Sequence, residues 1–223
     1  MAKLNIIGVG PGSPDYVTPI ARKTVQQAQV IIGAQRSLNL FTNDIKGETM
    51  VLTAKNLNEA LKHAAESVKN GKTVALLSTG DPGFSGLLHT VLKSGFAKDI
   101  EINVIPGISS LQACAAHLKL SWDDAALFTF HEGNVSAGEK EALASAVLGG
   151  KDVMLLPDSR GFAPKDIASY LISAGVNSET QSFVCENLTL ENEKITSASL
   201  EQISQLSFGA LSVMVIKQTS ITR

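Results

Sequence analysis

The sequence predicts an α/β fold of two domains, with a mostly parallel sheet in the N-terminal domain and a mixed sheet in the C-terminal domain. Short apolar runs alternate with stretches of helical spacing through the first half. Such alternation is typical of a parallel sheet that is covered by helices on both faces. Near the C-terminus, apolar runs are instead joined by a short polar turn, which favours antiparallel pairing. The 223 residues, 44% of them hydrophobic, are enough to form substantial cores.

The N-terminal domain is expected to span residues 1–118 and to alternate strands with helices. Thr18 is a suitable N-cap and Pro19 fits the first helical position, while Asn70-Gly71 should end a later helix. The predicted strands are 4–9, 30–32, 49–52, 73–77 and 100–105, and the predicted helices are 19–28, 35–41, 58–70, 83–93 and 109–118.

The C-terminal domain is expected to span residues 119–223, beginning with the polar stretch 119–124. The predicted strands are 126–130, 153–156, 182–185 and 211–216, and the predicted helices are 139–148 and 164–174. Residues 191–194 form a polar turn between two strands, so antiparallel strands are expected at the edge of this second sheet.

Composition excludes several classes of function. The net charge of −2 offers no basic surface for nucleic acid, and no apolar stretch reaches the roughly 18 residues of a membrane span. The N-terminus enters a strand without the pattern of a signal peptide. Cys114 and Cys185 are the only cysteines, which suits a reducing cytoplasm, and both are expected to be buried. The cysteines and the four histidines lack metal-ligand spacing, so no metal is expected.

The most informative segment is the glycine turn Gly8-Val-Gly-Pro-Gly-Ser-Pro-Asp15, which directly follows the first predicted strand. Its glycines permit close backbone approach and its prolines stiffen it. The turn is not a dinucleotide fingerprint, because Ser13 occupies the third glycine position and no acid follows the second strand. The segment Gly71-Lys-Thr73 is not a phosphate loop, because Glu66 replaces the upstream glycine and a strand follows it.

Three other loops follow predicted strands, where ligands bind in open α/β sheets. They are residues 78–83, with the carboxylate of Asp81; residues 106–110, with Ser109 and Ser110; and residues 185–188. Each also has a structural interpretation, since Asp81 or a serine can cap a helix and residues 186–187 can satisfy a turn. His131 follows another strand and could act as an acid or base, or serve only a structural role.

These loops together resemble the signatures of the tetrapyrrole methylases, which use S-adenosylmethionine. Gly8-Val-Gly-Pro-Gly12 looks like the first signature, Ser78-Thr-Gly-Asp-Pro82 like the second and Pro106-Gly-Ile-Ser-Ser110 like the third. The resemblance covers nearly the whole chain. Finer matches are similar to the branch that methylates C5 of a cobalt-precorrin in cobalamin biosynthesis, and they lie at residues 10–16, 18–19, 32–36, 120–124 and 184–188.

The resemblance implies two α/β domains with S-adenosylmethionine in the cleft between them and S-adenosylhomocysteine as the product. It places these residues at the cofactor: Gly80, Asp81, Phe84, Ser109, Ser110, Leu156, Asn187 and Leu211. On the substrate side it places Gly10, Pro11, Gly12 and Asp15. Arg36, Arg160 and Lys165 are the candidate partners for the substrate carboxylates.

The resemblance assigns no catalytic acid or base, and Asp15, Tyr16 and His131 are the candidates. It also implies a homodimer and, in some organisms, a separate protein that performs the C15 methylation and decarboxylation. Three alternatives stay open: a methylase acting at another ring position or on a siroheme precursor, an α/β enzyme that binds a nucleotide or sugar phosphate, and a ligand-binding protein without activity.

Overall fold

The computed structural model describes residues 2–131, 133 and 135–218, and divides the chain into two compact units, Met1–Ser109 and Ser110–Arg223. Helix α5 (Ser110–His117) packs against two strands of the second unit. The sequence-based boundary between residues 118 and 119 therefore lies one helix further along the chain than this division.

The first unit contains a five-stranded sheet in which all strands run parallel, where the sequence predicts a mostly parallel sheet. Its strands are β1 (Leu4–Gly8), β2 (Val30–Gly33), β3 (Glu48–Val51), β4 (Val74–Ser78) and β5 (Ile102–Ile105), in the order β3-β2-β4-β1-β5. Leu4 pairs with Val74 on one side and with Ile102 on the other. This register makes β1, β4 and β5 end at the same edge of the sheet.

Helices cover both faces of this sheet. They are α1 (Pro19–Gln27), α2 (Gln35–Asn39), α3 (Leu57–Lys69) and α4 (Leu87–Lys93). Successive strand residues point to opposite faces, so Ile7 packs into the core with α1 and α2, whereas Ile6 packs into the core with α3. Burial on both faces explains why the central strands β1, β2 and β4 are mostly apolar.

The local signals at the helix ends are confirmed with one correction. The Thr18 hydroxyl accepts a hydrogen bond from the backbone N–H of Ala21 at 3.2 Å, and Asn70 follows the last residue of α3. Helix α4, however, begins at Leu87 and not at the predicted Gly83. The reason is that residues 82–86 form a turn, after which the N–H of Leu87 donates to the Ser78 hydroxyl at 3.1 Å.

The second unit is built on a mixed sheet. After α5, the elements are β6 (Ala126–Thr129), α6 (Ala137–Leu148), β7 (Val153–Leu156), α7 (Pro164–Ser173), β8 (Gln181–Glu186), β9 (Lys194–Ser199), α8 (Leu200–Ser204) and β10 (Ser212–Ile216). The strand order is β6-β7-β10-β8-β9. Only β6 and β7 pair in parallel, and the pairings of β10 and of β9 are antiparallel, which confirms the predicted antiparallel strands.

Helix α8 was not predicted from the sequence. The Ser199 hydroxyl caps it by accepting from the N–H of Gln202, and the Gln202 side chain accepts from the N–H of Ser199 in return. Its two buried side chains, Leu200 and Ile203, join the core of the unit. Five residues are too few to show a helical period, so this capping pair is the one sequence signal that indicates helix α8. Within the described part of the chain, no helix is long and apolar enough to cross a membrane.

Candidate functional site

Three of the sequence-predicted loops meet at the carboxyl edge of the first sheet. They follow β1, β4 and β5, which are neighbours in the sheet although they are far apart in the chain. The N–H of Val9 donates to the carbonyl of Ser78 at 3.0 Å, and the N–H of Gly80 donates to the carbonyl of Gly10 at 2.9 Å. The glycine turn and the β4 loop are therefore joined beyond the ends of their strands.

Glycine is required where these loops touch, because their backbones pack directly against one another. A Cβ on Gly8 would lie 2.7 Å from the carbonyl oxygen of Gly80 and closer still to the backbone nitrogen of Gly107. A Cβ on Gly107 would in turn collide with the same carbonyl oxygen. Neither contact can be relieved by rotating a side chain, so both positions need a residue without Cβ.

Asp81 connects the β4 loop to the β5 loop. Its Oδ1 accepts from the N–H of Gly83 at 2.7 Å, and its Oδ2 accepts from the N–H of Gly107 at 3.0 Å. The carboxylate thus fixes its own turn and also the start of the third signature. Each oxygen retains a second lone pair that could accept from a ligand.

The other residues expected at the cofactor in this unit lie on the same loops. Gly80 is buried, and its nearest neighbour at the Cβ position is the Cα of Ser109 at 3.7 Å. Phe84 is half-buried in the turn after Asp81, and Ser109 is buried at the end of the third loop. The structure therefore brings these four residues to one edge of the sheet.

The glycine turn has a defined shape. Gly10 has a φ of +83°, a backbone conformation that residues other than glycine rarely adopt. The following Pro11 and Gly12 are half-buried. A single 3-10 turn then covers Pro14–Tyr16, which exposes Asp15 and half-buries Tyr16.

Arg22 holds this turn from α1, a role that sequence reasoning missed. Its Nη2 donates to the carbonyl of Pro14 at 3.1 Å, and its Nη1 pairs with Oδ2 of Asp44 at 2.8 Å. No sequence signal marks Arg22, because its partners are defined only by the way α1 packs.

Arg36 lies beside the β4 loop. Arg36 as a whole residue is exposed, and its Nη2 donates to the Thr79 hydroxyl at 3.3 Å. Partial burial of the guanidinium lowers the pKa of Arg36 from its ordinary value, although an arginine stays charged in proteins. A cation therefore lies next to the loop of the second signature.

The second unit also gathers its predicted residues at one edge of its sheet. The carboxyl ends of β7 and β8 lie beside the start of β10, because Glu186 pairs with Ser212 and Leu155 pairs with Met214. Leu156 ends β7, and the N–H of Asn187 donates to the carbonyl of Leu211 at 2.9 Å. Leu156, Asn187 and Leu211 therefore lie at one edge of this sheet, and their role at the cofactor stays a prediction.

The loops after β6 and β7 lie at the same edge. The N–H of Phe130 donates to the carbonyl of Leu156 at 2.9 Å, and His131 follows in an exposed turn. Asp158 is buried, and its Oδ1 accepts from the N–H of Arg160 at 3.1 Å. Arg160 itself is exposed, so its guanidinium is available to an anion at this edge.

The other candidates in the second unit are Ser110 and Lys165. Ser110 is the first residue of α5, and Lys165 is exposed at the start of α7. Among the described residues, no group of three or more His, Cys, Asp or Glu side chains could hold a metal ion.

Cys114 and Cys185 are both buried, as predicted, and their sulfur atoms lie 3.4 Å apart. The hydrogen bond between the thiols raises the pKa of Cys114, with burial and the nearby Glu193 carboxylate acting in the same direction. Glu193 also accepts from the N–H of Thr189 at 2.6 Å and pairs with Nδ1 of His117 at 3.3 Å. This cluster joins α5 to residues on both sides of Asn187 in the chain.

Comparison with known proteins agrees with this arrangement of loops. The family model described as Tetrapyrrole (Corrin/Porphyrin) Methylases matches residues 3–204, which is most of the chain. The chain belongs to the tetrapyrrole methylases. A curated relative of this methylase, a probable cobalt-precorrin-7 C(5)-methyltransferase from Methanocaldococcus jannaschii, is 42% identical over 212 residues, 94% of this chain and 95% of the relative.

Solved structures share the fold of this methylase. A cobalt-precorrin-4 methyltransferase superimposes with a TM-score of 0.80 at 25% identity, covering 96% of this chain and 94% of the other. A uroporphyrin-III C-methyltransferase from Thermus thermophilus, complexed with S-adenosylhomocysteine, gives a TM-score of 0.77 at 18% identity, covering 97% of each chain.

Proposed function

We propose that this tetrapyrrole methylase transfers the methyl group of S-adenosylmethionine to C5 of cobalt-precorrin-6B, giving cobalt-precorrin-7 in cobalamin biosynthesis. The observation that carries the proposal is the 42% identity to the Methanocaldococcus jannaschii relative, which extends over 94% of this chain and 95% of the relative. The family model, which matches residues 3–204, includes all three signature loops and most of the second unit.

S-adenosylmethionine is the ligand proposed for these residues. This molecule presents a ribose, an adenine edge, an ammonium and a carboxylate. In the first unit, backbone at Gly80 and Phe84, the Asp81 carboxylate and the Ser109 hydroxyl offer matching donors and acceptors. Ser110, Leu156, Asn187 and Leu211 are the proposed contacts of the second unit. The complex between the Thermus thermophilus enzyme and S-adenosylhomocysteine supports this choice of ligand.

The proposed substrate side is the glycine turn with Gly10, Pro11, Gly12 and Asp15. A Cβ on Gly10 would lie 2.9 Å from the carbonyl oxygen of Tyr16, so this glycine lets the turn fold closely on itself. A flat macrocycle is proposed to pack against the compact turn that results. Arg36 and Arg160 are exposed cations and are the proposed partners of the substrate carboxylates.

The proposed mechanism depends on alignment. When bound, S-adenosylmethionine supplies a methyl group on a positively charged sulfur that leaves readily. The ring carbon of a reduced tetrapyrrole is enamine-like and attacks that methyl: a C–C bond forms, the S–C bond breaks, and sulfur keeps the electron pair. The chain has to hold the two reactants in line, which can lower the barrier by roughly 7–11 kcal/mol.

Proton movement after the transfer requires no strong base, because the methylated ring is a cation whose proton is acidic. His131, Asp15 and Tyr16 are the candidates for accepting that proton, and the exposed position of His131 and Asp15 also gives water access to them. We assign none of the three as a catalytic residue.

The same relationship supports a proposal for assembly and location. We propose a homodimer in the cytoplasm, with a separate C15-methylating decarboxylase as the functional partner. The second candidate function is methylation at another ring carbon. It is favoured by the similarity to the cobalt-precorrin-4 methyltransferase, which is 25% identical and has a TM-score of 0.80.

Two measurements on the purified chain test the proposal. Calorimetry should detect binding of S-adenosylhomocysteine, and incubation with S-adenosylmethionine and cobalt-precorrin-6B should give a product heavier by one methylene. NMR of that product should locate the new methyl at C5. Absence of binding at millimolar ligand would refute the methylase proposal, while a methyl at another carbon would favour the second candidate. A reaction without tetrapyrrole is the control for hydrolysis of the donor.

A further inference from the structure

Glu186 is a carboxylate at the end of β8 and is only 9% exposed. Burying a carboxylate is costly unless hydrogen bonds compensate for lost hydration. Its Oε1 accepts from the backbone N–H of Gly209 at 2.6 Å, within the segment that leads into β10. This short contact joins the end of one strand to the chain that precedes its neighbour.

The segment 209–211 is thereby held at both of its ends. Glu186 binds the N–H of Gly209, and the next residue, Asn187, donates its own N–H to the carbonyl of Leu211 at 2.9 Å. Asn187 has a φ of +51°, so its backbone turns sharply at the point where β8 ends. Asparagine tolerates this conformation better than most residues.

The neighbouring lysine does not explain the burial of Glu186. Lys194 Nζ lies 4.0 Å from Oε2, at the limit of an ion pair, and its side chain is 69% exposed. Exposed ion pairs of this kind contribute little to stability. The strong partner of the carboxylate is therefore the N–H of Gly209.

We propose that Glu186 is a positioning residue for S-adenosylmethionine. Its carboxylate fixes segment 209–211 so that the backbone beside Leu211 and Asn187 is presented to the ligand in one conformation. Glu186 itself does not contact the ligand. This inference rests on the proposed function, because the role of Leu211 and Asn187 at the cofactor is part of that proposal.

The test compares E186A and E186Q with K194M as the matched control. Alanine removes the acceptor, glutamine keeps an oxygen that can accept from Gly209, and the lysine variant removes only the weak ion pair. Calorimetry with S-adenosylhomocysteine should show a Kd raised about tenfold or more in E186A, or ~1.4 kcal/mol. E186Q should stay within about threefold of wild type and K194M within about twofold, since the bond to Gly209 remains in both.

Steady-state kinetics separates positioning from general damage. In E186A, the KM for S-adenosylmethionine should rise while kcat changes by less than about threefold, because the reacting atoms are not touched. A Kd within twofold of wild type in folded E186A would overturn the inference. An equal loss of affinity for S-adenosylhomocysteine in E186A and E186Q would also overturn the inference, because the oxygen that glutamine retains would then not preserve binding.

Two additions keep the test decisive. If E186A does not fold, E186D retains the charge but is one methylene too short to reach Gly209, and it should raise the Kd as E186A would. Amide hydrogen exchange at residues 209–211 needs no ligand and should be faster in either variant. Unchanged exchange would refute positioning by Glu186, whereas failure of wild type to bind S-adenosylhomocysteine would refute the proposed function instead.

Discussion

Replacing Asp81 by alanine tests whether this carboxylate joins two loops of the site. The substitution removes the acceptor of two backbone N–H groups, those of Gly83 at 2.7 Å and Gly107 at 3.0 Å. A hydrogen bond to a charged group contributes about 1.5–3 kcal/mol. Gly83 is exposed, so water can replace most of the hydrogen bond that its N–H loses. Gly107 is half-buried, so water compensates less for the loss of its hydrogen bond.

We therefore expect D81A to lower the free energy of unfolding by about 3 kcal/mol. For a chain of this size, that corresponds to a fall in Tm of roughly 6–12 °C in calorimetry. D81N keeps one acceptor oxygen and should lose about half as much. D99A is the matched control, because Asp99 is an exposed carboxylate of the same unit.

The same variant should bind S-adenosylhomocysteine about tenfold more weakly, since the ligand loses its proposed acceptor and the third loop is no longer held against the second. Two results would refute this reasoning. Unchanged Tm and affinity in D81A would mean that the two hydrogen bonds are dispensable. A loss of binding above about 100-fold with wild-type Tm would mean that Asp81 acts on the ligand alone and that its two loop hydrogen bonds do not stabilise the fold.

The remaining predictions concern glycines and one histidine. G8A should lower the free energy of unfolding by about 3 kcal/mol or more, because its Cβ meets backbone atoms only. G138A in α6 should raise that free energy by up to about 1 kcal/mol, since nothing lies within 4 Å of the added Cβ. Chemical denaturation of both variants distinguishes the expected loss of stability from the expected gain. G10V, at a φ of +83°, should lower tetrapyrrole turnover more than affinity for S-adenosylhomocysteine, once its fold has been verified, and the reverse order would contradict the proposed substrate side. H131Q should keep the methyl-transfer rate within about tenfold, or roughly 1.4 kcal/mol of barrier, whereas a loss of 10²–10⁴-fold in single-turnover assays would identify a general acid or base.

Local sequence signals predicted the elements that depend on neighbouring residues. Apolar runs predicted the central strands of the first sheet, because β1, β2 and β4 are buried along their whole length and leave little room for polar side chains. Thr18 and Pro19 predicted the start of α1, since the cap and its N–H partner lie within one turn. The start of α4 was wrong because a competing turn, held by Asp81, occupied the predicted first residues.

The sequence by itself determined which loops follow strands, and through them the family of this protein. What only the tertiary structure decided is which loops meet. The order β3-β2-β4-β1-β5 places Gly8 beside Gly107 and gives Asp81 a partner 26 residues away. Likewise, the antiparallel pairing of β8 and β10 gives Glu186 its donor at Gly209. Such partners depend on strand pairing across long separations, and local periodicity carries no information about that pairing.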